Sequence, residues 1–205
     1  RYWTCSTIGD QQTEMTSLLG TDAIILAGGF GTRLKDSVQD KPKTLAPVNG
    51  RPFLYYLINQ IKSFGVDRLI LSLGYLSDMV ETWIREAQFN NLEIIFSTEQ
   101  TPLGTGGALN LALSHTSSDT VLVMNGDSYT KVDLISFFKF HTDNKSDISL
   151  IATRVTDTRR FGTVHIDNKN RLKGFSEKQE CVEIQEGYIN SGIYLVNRSC
   201  LPTIP

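Results

Sequence analysis

The sequence predicts an α/β fold: a mixed, mostly parallel sheet flanked by helices, followed by a smaller β-rich lobe. Three observations support this prediction. Between residues 23 and 146, short apolar segments alternate with segments whose apolar residues recur at helical spacing, which is typical of β-α-β units and a parallel sheet. A glycine-rich loop directly follows the first apolar segment, at a position where open α/β sheets bind ligands. From residue 147 onward, strand-like segments follow one another with few helices, which indicates mixed or antiparallel pairing.

The first half of the chain alternates predicted strands and helices. The first strand is the apolar, β-branched run 23–26, of the kind that is buried on both faces of a sheet. The first helix begins at Pro52, which suits the first helical turn, and it ends near Gly65. In a parallel sheet, each remaining helix connects two strands by a right-handed crossover. They are expected at 69–73 (strand), 77–89 (helix), 93–96 (strand), 106–113 (helix), 121–124 (strand) and 134–140 (helix).

The second half of the chain, residues 147–205, is interpreted as a β-rich part that can carry the pocket of a second substrate. Its strands are expected at 148–155, 163–166, 171–175 and 192–196. Residues 1–22 are polar and without periodicity, so we interpret them as a flexible extension before a domain that spans 23–205. The chain begins without a Met and stops directly after a predicted strand, so we expect a truncated C-terminus.

The composition excludes several classes of protein. The chain has 40% apolar residues and a net charge of −2, from 20 basic and 22 acidic side chains, which provides no basic surplus for nucleic acid. No apolar run approaches the roughly 18 residues of a membrane span, and residues 1–22 lack the layout of a signal peptide, so a cytoplasmic protein is expected. Cys5, Cys181 and Cys200 have no metal-binding spacing and are interpreted as reduced thiols.

The glycine-rich loop 26–34 is followed by the basic segment Lys41-Pro42-Lys43. Glycines allow backbone N–H groups to approach phosphate oxygens, and basic side chains neutralise phosphate charge. Leu34 replaces the third glycine of a dinucleotide fingerprint, and the P-loop spacing is absent. A tight turn without a ligand is the alternative for the glycines alone, but the two basic side chains favour a nucleoside triphosphate. The predicted contacts are Leu26, Ala27, Gly28, Gly29, Gly31, Thr32, Arg33 and Lys43.

Asp127 follows the fourth predicted strand, in the segment Asn125-Gly126-Asp127. A carboxylate at this edge of a sheet is costly unless it is paired or holds a cation, and a hard oxygen ligand beside phosphates suits Mg²⁺. We therefore predict that Asp127 is a metal ligand. A turn aspartate that caps its own backbone is the alternative.

A second glycine cluster, residues 102–108, lies between the third strand and a helix. The backbone at Gly104 and Thr105 can approach a nucleobase or ribose closely, whereas a loop with an N-cap is the simpler interpretation. Glu99 lies just before this cluster. Its carboxylate only accepts hydrogen bonds, and guanine offers two adjacent donors, so the sequence favours GTP. A solvated loop charge is the alternative for Glu99.

These segments together resemble the sugar-1-phosphate nucleotidyltransferase family, from about Ala23 to the end of the chain. The resemblance rests on the order of seven landmarks, which is more specific than any one of them. Within the family, the chain most resembles the guanylyltransferases of heptose 1-phosphate, followed by those of mannose 1-phosphate. The landmarks are 26–34, 41–43, 102–108, 125–127, 161–164, Glu177-Lys178 and 190–194.

The resemblance implies a Rossmann-like nucleotidyltransferase fold and the reaction of a nucleoside triphosphate with a sugar 1-phosphate to give a nucleotide sugar and pyrophosphate. It also implies that Arg33 binds the β- and γ-phosphates, Lys43 the α-phosphate region, and Asp127 a Mg²⁺ ion. Asn125 joins the nucleotide-binding set. On the sugar side, the implied residues are Lys178 for the sugar phosphate, Glu177 and Asn190 for the hydroxyls, and Gly162 and Gly192 for backbone access.

Several alternatives remain open. Members of the family usually carry a second acidic metal ligand further toward the C-terminus, and this chain ends before it, so the regulatory, inactive members are one alternative. A nucleotide-sensing subunit would be expected to lose Arg33 or Lys43, and both are present. A dinucleotide-dependent oxidoreductase needs an acidic residue after the second strand, where Gly74-Tyr75 stands. Assembly into a homo-oligomer is left open by the sequence.

Overall fold

The computed structural model describes residues 17–29, 41–159, 161–176 and 185–203, with side chains described as far as 200 in the last range. All the predicted strands and helices are present; the strands at 148–155 and 163–166 have the predicted bounds, and the bounds of the others are shifted. The strands are β1 (Asp22–Leu26), β2 (Pro47–Val48), β3 (Arg51–Pro52), β4 (Arg68–Leu73), β5 (Glu93–Thr98), β6 (Thr120–Asn125), β7 (Ile148–Val155), β8 (Thr163–Ile166), β9 (Leu172–Ser176) and β10 (Gly187–Asn197). The α-helices are α1 (Phe53–Ser63), α2 (Ser77–Ala87), α3 (Gly104–Leu113) and α4 (Leu134–Asp143).

The first half of the chain forms the parallel part of the sheet, in the order β5-β4-β1-β6. β1 lies at its centre and pairs in parallel with β4 on one side and β6 on the other. Because all four strands point the same way, the loops that follow them converge at one edge of the sheet. Among the described residues, the predicted contacts Gly28, Glu99 and Asp127 lie in these loops.

The second half continues the same sheet with antiparallel pairing. β10 pairs with β6 and also with β7 and β8, and β9 lies at the edge beside β8. The mixed sheet predicted from the sequence is therefore confirmed, and its β-rich part is continuous with the parallel part. The short hairpin β2-β3 forms a separate sheet that the sequence pattern did not predict. The proposed division at residue 147 into two functional halves stays a prediction.

β10 is longer than the predicted strand 192–196. Its pairing with β7 shifts register between Asn190 and Tyr194, which is a bulge-type irregularity. The bulge lets the first part of β10 pair with β8 while the second part pairs with β6. A sequence pattern that alternates on one side of the bulge does not continue in phase on the other, so only the second part was recognisable.

The helices bury one apolar face each against the sheet. In α1 the side chains at the predicted i, i+3, i+4 and i+7 positions are fully buried: Leu54, Leu57, Ile58 and Ile61. Pro52 lies in β3 and immediately precedes the helix, so its predicted place in the first helical turn is wrong by one residue. The α4 helix begins after Asp133, whose carboxylate accepts hydrogen bonds from Ile135 N and Ser136 N.

β1 is buried on both faces, as its apolar run predicted. Ile25 packs in the larger core cluster with α1, and Ile24 packs on the opposite face in the cluster that includes Ala112 of α3. Both side chains are fully buried. A strand covered on both faces is a rigid base for the loop that follows it. Over the described part of the chain, the helices are too short or too polar to span a bilayer.

Candidate active site

The candidate site lies at the edge where the four parallel strands end. Backbone hydrogen bonds continue the strand pairing into the following loops, so the loop backbones are held close together. The donors and acceptors are Ala27 N to Ser72 O at 2.8 Å, Glu99 N to Leu73 O at 3.0 Å and Gly126 N to Leu26 O at 2.8 Å. These hydrogen bonds to the strands therefore fix the positions of Ala27, Glu99 and Gly126, the first residues of three loops.

Gly126 allows the loop after β6 to lie against the loop after β1. A Cβ atom at this position would lie 2.7 Å from Leu26 O and 3.1 Å from Thr44 Cγ2. No side chain fits at the first of these distances, so glycine is required by the close approach of the backbone. The next residue, Asp127, is thereby brought to the loop that the sequence assigned to phosphates.

Lys43 and Asp127 form an ion pair at this edge. The Lys43 ammonium donates to Asp127 Oδ2 over 2.7 Å, and the two side chains are 39% and 47% exposed. Ser128 Oγ donates to the other carboxylate oxygen over 3.1 Å. Burial raises the pKa of Asp127, but the hydrogen bond and charge of Lys43, together with the hydrogen bond from Ser128 and a backbone hydrogen bond, lower it more, so the pKa lies below its usual value. The carboxylate is therefore charged and available to a cation at neutral pH.

Glu99 begins the loop after β5 and is only partly exposed. Its Oε2 accepts a hydrogen bond from Leu103 N over 3.1 Å, which folds the loop back on itself before α3. Gly104, with φ of +70°, and Thr105 are exposed at the start of that helix. A Cβ atom at Gly28 would lie 3.4 Å from Glu99 Oε1, so Glu99 lies beside the glycine loop after β1, and its contact with a nucleotide stays a prediction.

The predicted sugar-side residues on β10 adjoin the nucleotide side. Gly192 has φ of +73°, and a Cβ atom there would lie 2.7 Å from Asn125 Nδ2, so Asn125 and Gly192 are in contact. Asn190 accepts from Gly192 N at 2.9 Å and donates to the Tyr194 hydroxyl at 2.6 Å. Both halves of the predicted site thus meet at this contact.

Gly162 precedes β8 and is exposed. The pairing of Ile189 with Thr163 places Gly162 and Asn190 at neighbouring positions on adjacent strands. A Cβ atom at Gly162 would lie 3.2 Å from Ser176 O, at the end of β9. The predicted residues Gly31, Thr32, Arg33, Glu177 and Lys178 lie outside the described residues, and their roles stay predictions.

Comparison with protein families gives one decisive match. Residues 22–204 match the model of the family described as "Nucleotidyl transferase". The chain belongs to the nucleotidyl transferase family. The match begins with β1 and includes both the glycine loop and the sugar-side strands described above.

The family members with similar sequences include two guanylyltransferases. The D-glycero-alpha-D-manno-heptose 1-phosphate guanylyltransferase of Aneurinibacillus thermoaerophilus is 39% identical over 178 residues, which are 87% of this chain and 75% of that protein. The mannose-1-phosphate guanylyltransferase of Mycobacterium tuberculosis is 36% identical over 184 residues, which are 90% of this chain and 51% of that protein. The chain therefore spans three quarters of the first relative and about half of the second.

A solved structure supports the same placement. HddC from Yersinia pseudotuberculosis, crystallised as a complex with GMP-PN, superposes with a TM-score of 0.81 at 35% sequence identity. The match covers 90% of this chain and 80% of HddC. The inositol-1-phosphate CTP transferase of T. maritima has a TM-score of 0.73 at 20% identity and shows the shared fold alone.

Among the described residues, Asp127 is one that could hold a divalent cation jointly with a substrate, and the Mg²⁺ ion stays a prediction. Within the described ranges, no three or more His, Cys, Asp or Glu side chains cluster around one point. Mg²⁺ is commonly held by one or two carboxylates together with substrate phosphates and water. The partly exposed carboxylate of Asp127, already paired with a cation, suits that role.

Two site residues of this nucleotidyl transferase were missed by sequence reasoning. Gly74, which follows β4, lies against Glu99 and Gly28. Thr44 is 4% exposed, and its hydroxyl has no hydrogen-bond partner among the described residues. The sequence feature that could have identified Gly74 is its position directly after a predicted buried strand, which resembles the positions of the two glycine-rich loops. Thr44 carried no signal apart from its place next to Lys43.

Proposed function

We propose that this chain transfers a guanylyl group from GTP to a sugar 1-phosphate, with heptose 1-phosphate as the favoured acceptor, and releases pyrophosphate. The observation that carries the proposal is the Lys43–Asp127 ion pair at the edge of the sheet, beside the glycine loop after β1. Glu99, which follows β5, is proposed to supply the base contact. The names of the two relatives and the GMP-PN complex of HddC support this choice.

The reaction needs no general base. An oxygen of the sugar phosphate, which is already anionic, attacks the α-phosphorus of GTP, and the bond from that phosphorus to the pyrophosphate oxygen breaks. The barrier comes mainly from repulsion between two anions and from charge on the departing pyrophosphate. Positive charge and positioning are therefore what the protein must provide.

Lys43 and Asp127 suit this task as a pair. When phosphates enter, we propose that the Lys43 ammonium turns from Asp127 toward the α-phosphate region. The freed carboxylate of Asp127 would hold a Mg²⁺ ion, which neutralises phosphate charge when bound. Arg33 is proposed to bind the β- and γ-phosphates.

The base is proposed to be guanine because Glu99 presents an acceptor-only group. Guanine carries two adjacent donors on its Watson–Crick edge, whereas adenine carries one donor beside an acceptor. Oε2 of Glu99 accepts from Leu103 N and keeps further acceptor sites, since each carboxylate oxygen has two lone pairs. The carboxylate is thus both fixed and still able to bind a base.

The sugar is proposed to lie beside Asn190, Gly162 and Gly192, with Glu177 and Lys178 contributing to the same pocket. The Asn190 side chain is exposed and held by Gly192 and Tyr194, so it is oriented before a sugar arrives. Mannose 1-phosphate is the second candidate acceptor, since the relative from M. tuberculosis acts on it by name. A nucleotide-sensing subunit without turnover is a further candidate.

The decisive experiment is a pyrophosphate-release assay with Mg²⁺. GTP, ATP, CTP, UTP and dTTP are each combined with heptose 1-phosphate and with mannose 1-phosphate. We expect the fastest release with GTP and heptose 1-phosphate. Release that is faster with mannose 1-phosphate would favour the second candidate, and GTP binding without any release would favour the nucleotide-sensing subunit.

A further inference from the structure

Gly74 has no conformational reason to be glycine. It does not adopt the left-handed φ that favours glycine, unlike Gly104 or Gly192. A Cβ atom at Gly74 would lie 2.7 Å from Glu99 Oε1 and 2.8 Å from Gly28 O. Both distances are shorter than any real Cβ contact, so it is the approach of these two neighbours that requires glycine.

Gly28 lies close to the same carboxylate oxygen and to Gly74. A Cβ atom at Gly28 would lie 3.2 Å from Gly74 N and 3.4 Å from Glu99 Oε1. Gly28 and Gly74 thus form a notch between the ends of β1 and β4, and Oε1 of Glu99 lies in it. We call this pair the glycine notch.

The glycine notch and Leu103 hold opposite sides of one carboxylate. Oε1 lies against the two glycines, and Oε2 accepts from Leu103 N at 3.1 Å. The hydrogen bond holds Oε2, and the close packing of the two glycines limits the space in which Oε1 can move. The unused lone pairs of the carboxylate therefore point in set directions, which is what recognition of two adjacent donors requires.

We propose that Gly74 is a positioning residue for base selection and acts through Glu99: its missing side chain lets the carboxylate lie in the glycine notch, facing the guanine edge. This inference rests on the proposed function. A side chain at position 74 displaces the carboxylate, which then meets the two guanine donors poorly. Adenine has one donor at that edge, so the affinity for ATP falls less than the affinity for GTP. The discrimination between the two bases therefore decreases.

The test measures base selection rather than activity alone. Calorimetry provides the dissociation constants of GTP and ATP for the wild type and for Gly74→Ala, without the sugar, and kinetics provides kcat and KM for both nucleotides. We expect the preference for GTP over ATP to fall by about tenfold or more in Gly74→Ala, mainly through KM for GTP. Pure loss of packing would lower kcat for both nucleotides alike.

Gly174→Ala is the matched control. Gly174 lies in β9, its φ is not in the left-handed region, and a Cβ atom there would meet nothing within 4 Å. We expect this variant to keep the wild-type preference within about twofold. A thermal melt of each variant shows whether it is folded.

A second variant keeps the test valid if Gly74→Ala does not fold, because its Cβ also approaches the backbone oxygen of Gly28. In Gly28→Ala the added methyl group lies 3.4 Å from Glu99 Oε1 and 3.2 Å from Gly74 N, neither as close as the 2.7 Å in Gly74→Ala, and we expect a smaller loss of preference in the same direction. A Glu99→Gln background separates direct from indirect effects. If Gly74 acts through Glu99, adding Gly74→Ala to Glu99→Gln causes little further loss.

The outcomes are distinct. A folded Gly74→Ala protein that prefers GTP to ATP as the wild type does would overturn the inference. The inference would also be overturned if the loss of GTP preference in the double variant equalled the product of the losses in Gly74→Ala and Glu99→Gln. If the wild type binds GTP selectively but releases no pyrophosphate, the proposed catalytic function is wrong. The dissociation constants then still test the role of Gly74 in base selection. If the wild type turns over GTP and the variants keep their selectivity, only the inference about Gly74 fails.

Discussion

The Lys43 ammonium lies 2.7 Å from Asp127 Oδ2, so the cation assigned to the α-phosphate and the carboxylate assigned to Mg²⁺ neutralise each other. The pair is 84 residues apart in sequence and partly exposed. An exposed ion pair of this kind contributes roughly 0–1 kcal/mol, so breaking it costs little when substrate arrives. We propose that substrate phosphates and a divalent ion replace this pairing when they bind.

We predict that Lys43→Gln lowers turnover about 10²- to 10³-fold, as expected when one charge donor to a transition state is removed. The melting temperature should change little, because the pair is partly exposed. Steady-state pyrophosphate release and a thermal melt check both parts. Lys139→Gln, an exposed change on α4, is the control and should leave the rate near that of the wild type. An unchanged rate in Lys43→Gln would remove its assigned role.

We predict that Lys43 competes with the divalent ion for Asp127 in the absence of nucleotide. Removing the ammonium in Lys43→Gln should strengthen binding of Mn²⁺ alone, because the carboxylate no longer has a tethered cation. Asp127→Asn should weaken the same binding. Electron paramagnetic resonance of free Mn²⁺ measures both. Equal Mn²⁺ affinity in the wild type and Lys43→Gln would show that the ion pair does not occupy the metal position.

We predict that Glu99→Gln erodes the preference for GTP while leaving the fold intact. An amide offers one acceptor and one donor group, so it cannot accept from both guanine donors as a carboxylate does. The Leu103 N–H can still donate to the amide oxygen, so the loop after β5 should keep its shape. The ratio of kcat/KM for GTP and ATP is the measurement, with Glu86→Gln on α2 as the control. Retained discrimination would exclude Glu99 as the base contact.

We predict that His141 makes stability depend on pH. The ring is 2% exposed, with Nδ1 2.8 Å from Ser149 Oγ and Nε2 3.0 Å from Asn197 Oδ1. Burial lowers the pKa of His141 below its ordinary 6.5. The unfolded chain therefore takes up a proton at a higher pH than the folded chain. The free energy of unfolding should fall as pH falls below about 6.5, by up to roughly 1.4 kcal/mol per pH unit.

Urea unfolding between pH 5 and pH 8 checks this expectation. In His141→Gln the slope contributed by this residue should disappear, because glutamine does not titrate. His165→Gln removes an exposed histidine on β8 and serves as the control, with the slope retained. A wild-type slope that persists in His141→Gln would place the pH dependence elsewhere.

The order of strands and helices was predictable because it depends on local patterns. The apolar run of β1 and the spacing of Leu54, Leu57 and Ile58 in α1 reflect which faces are buried, and burial follows from residue type. The bulge in β10 was not predictable, because it depends on pairing with two different neighbours. Likewise, Pro52 fits a helix start by composition, yet its pairing with Pro47 places it in a hairpin.

The kind of ligand that the site binds was also predictable from the residue types. The glycine loops, basic residues and strand-end acids indicated a phosphate and metal site by their chemistry, and the resemblance of their order to the sugar-1-phosphate nucleotidyltransferase family implied the reaction. The residues of one segment do not specify its distance from another segment. Lys43 and Asp127 are paired, and Gly74 closes on Glu99, only because parallel strands bring their ends to one edge of the sheet. Residue types thus determined the elements and the reaction class, whereas the packing of the strands decided which charges are paired and where glycine is required, because contacts between distant residues arise only when the sheet forms.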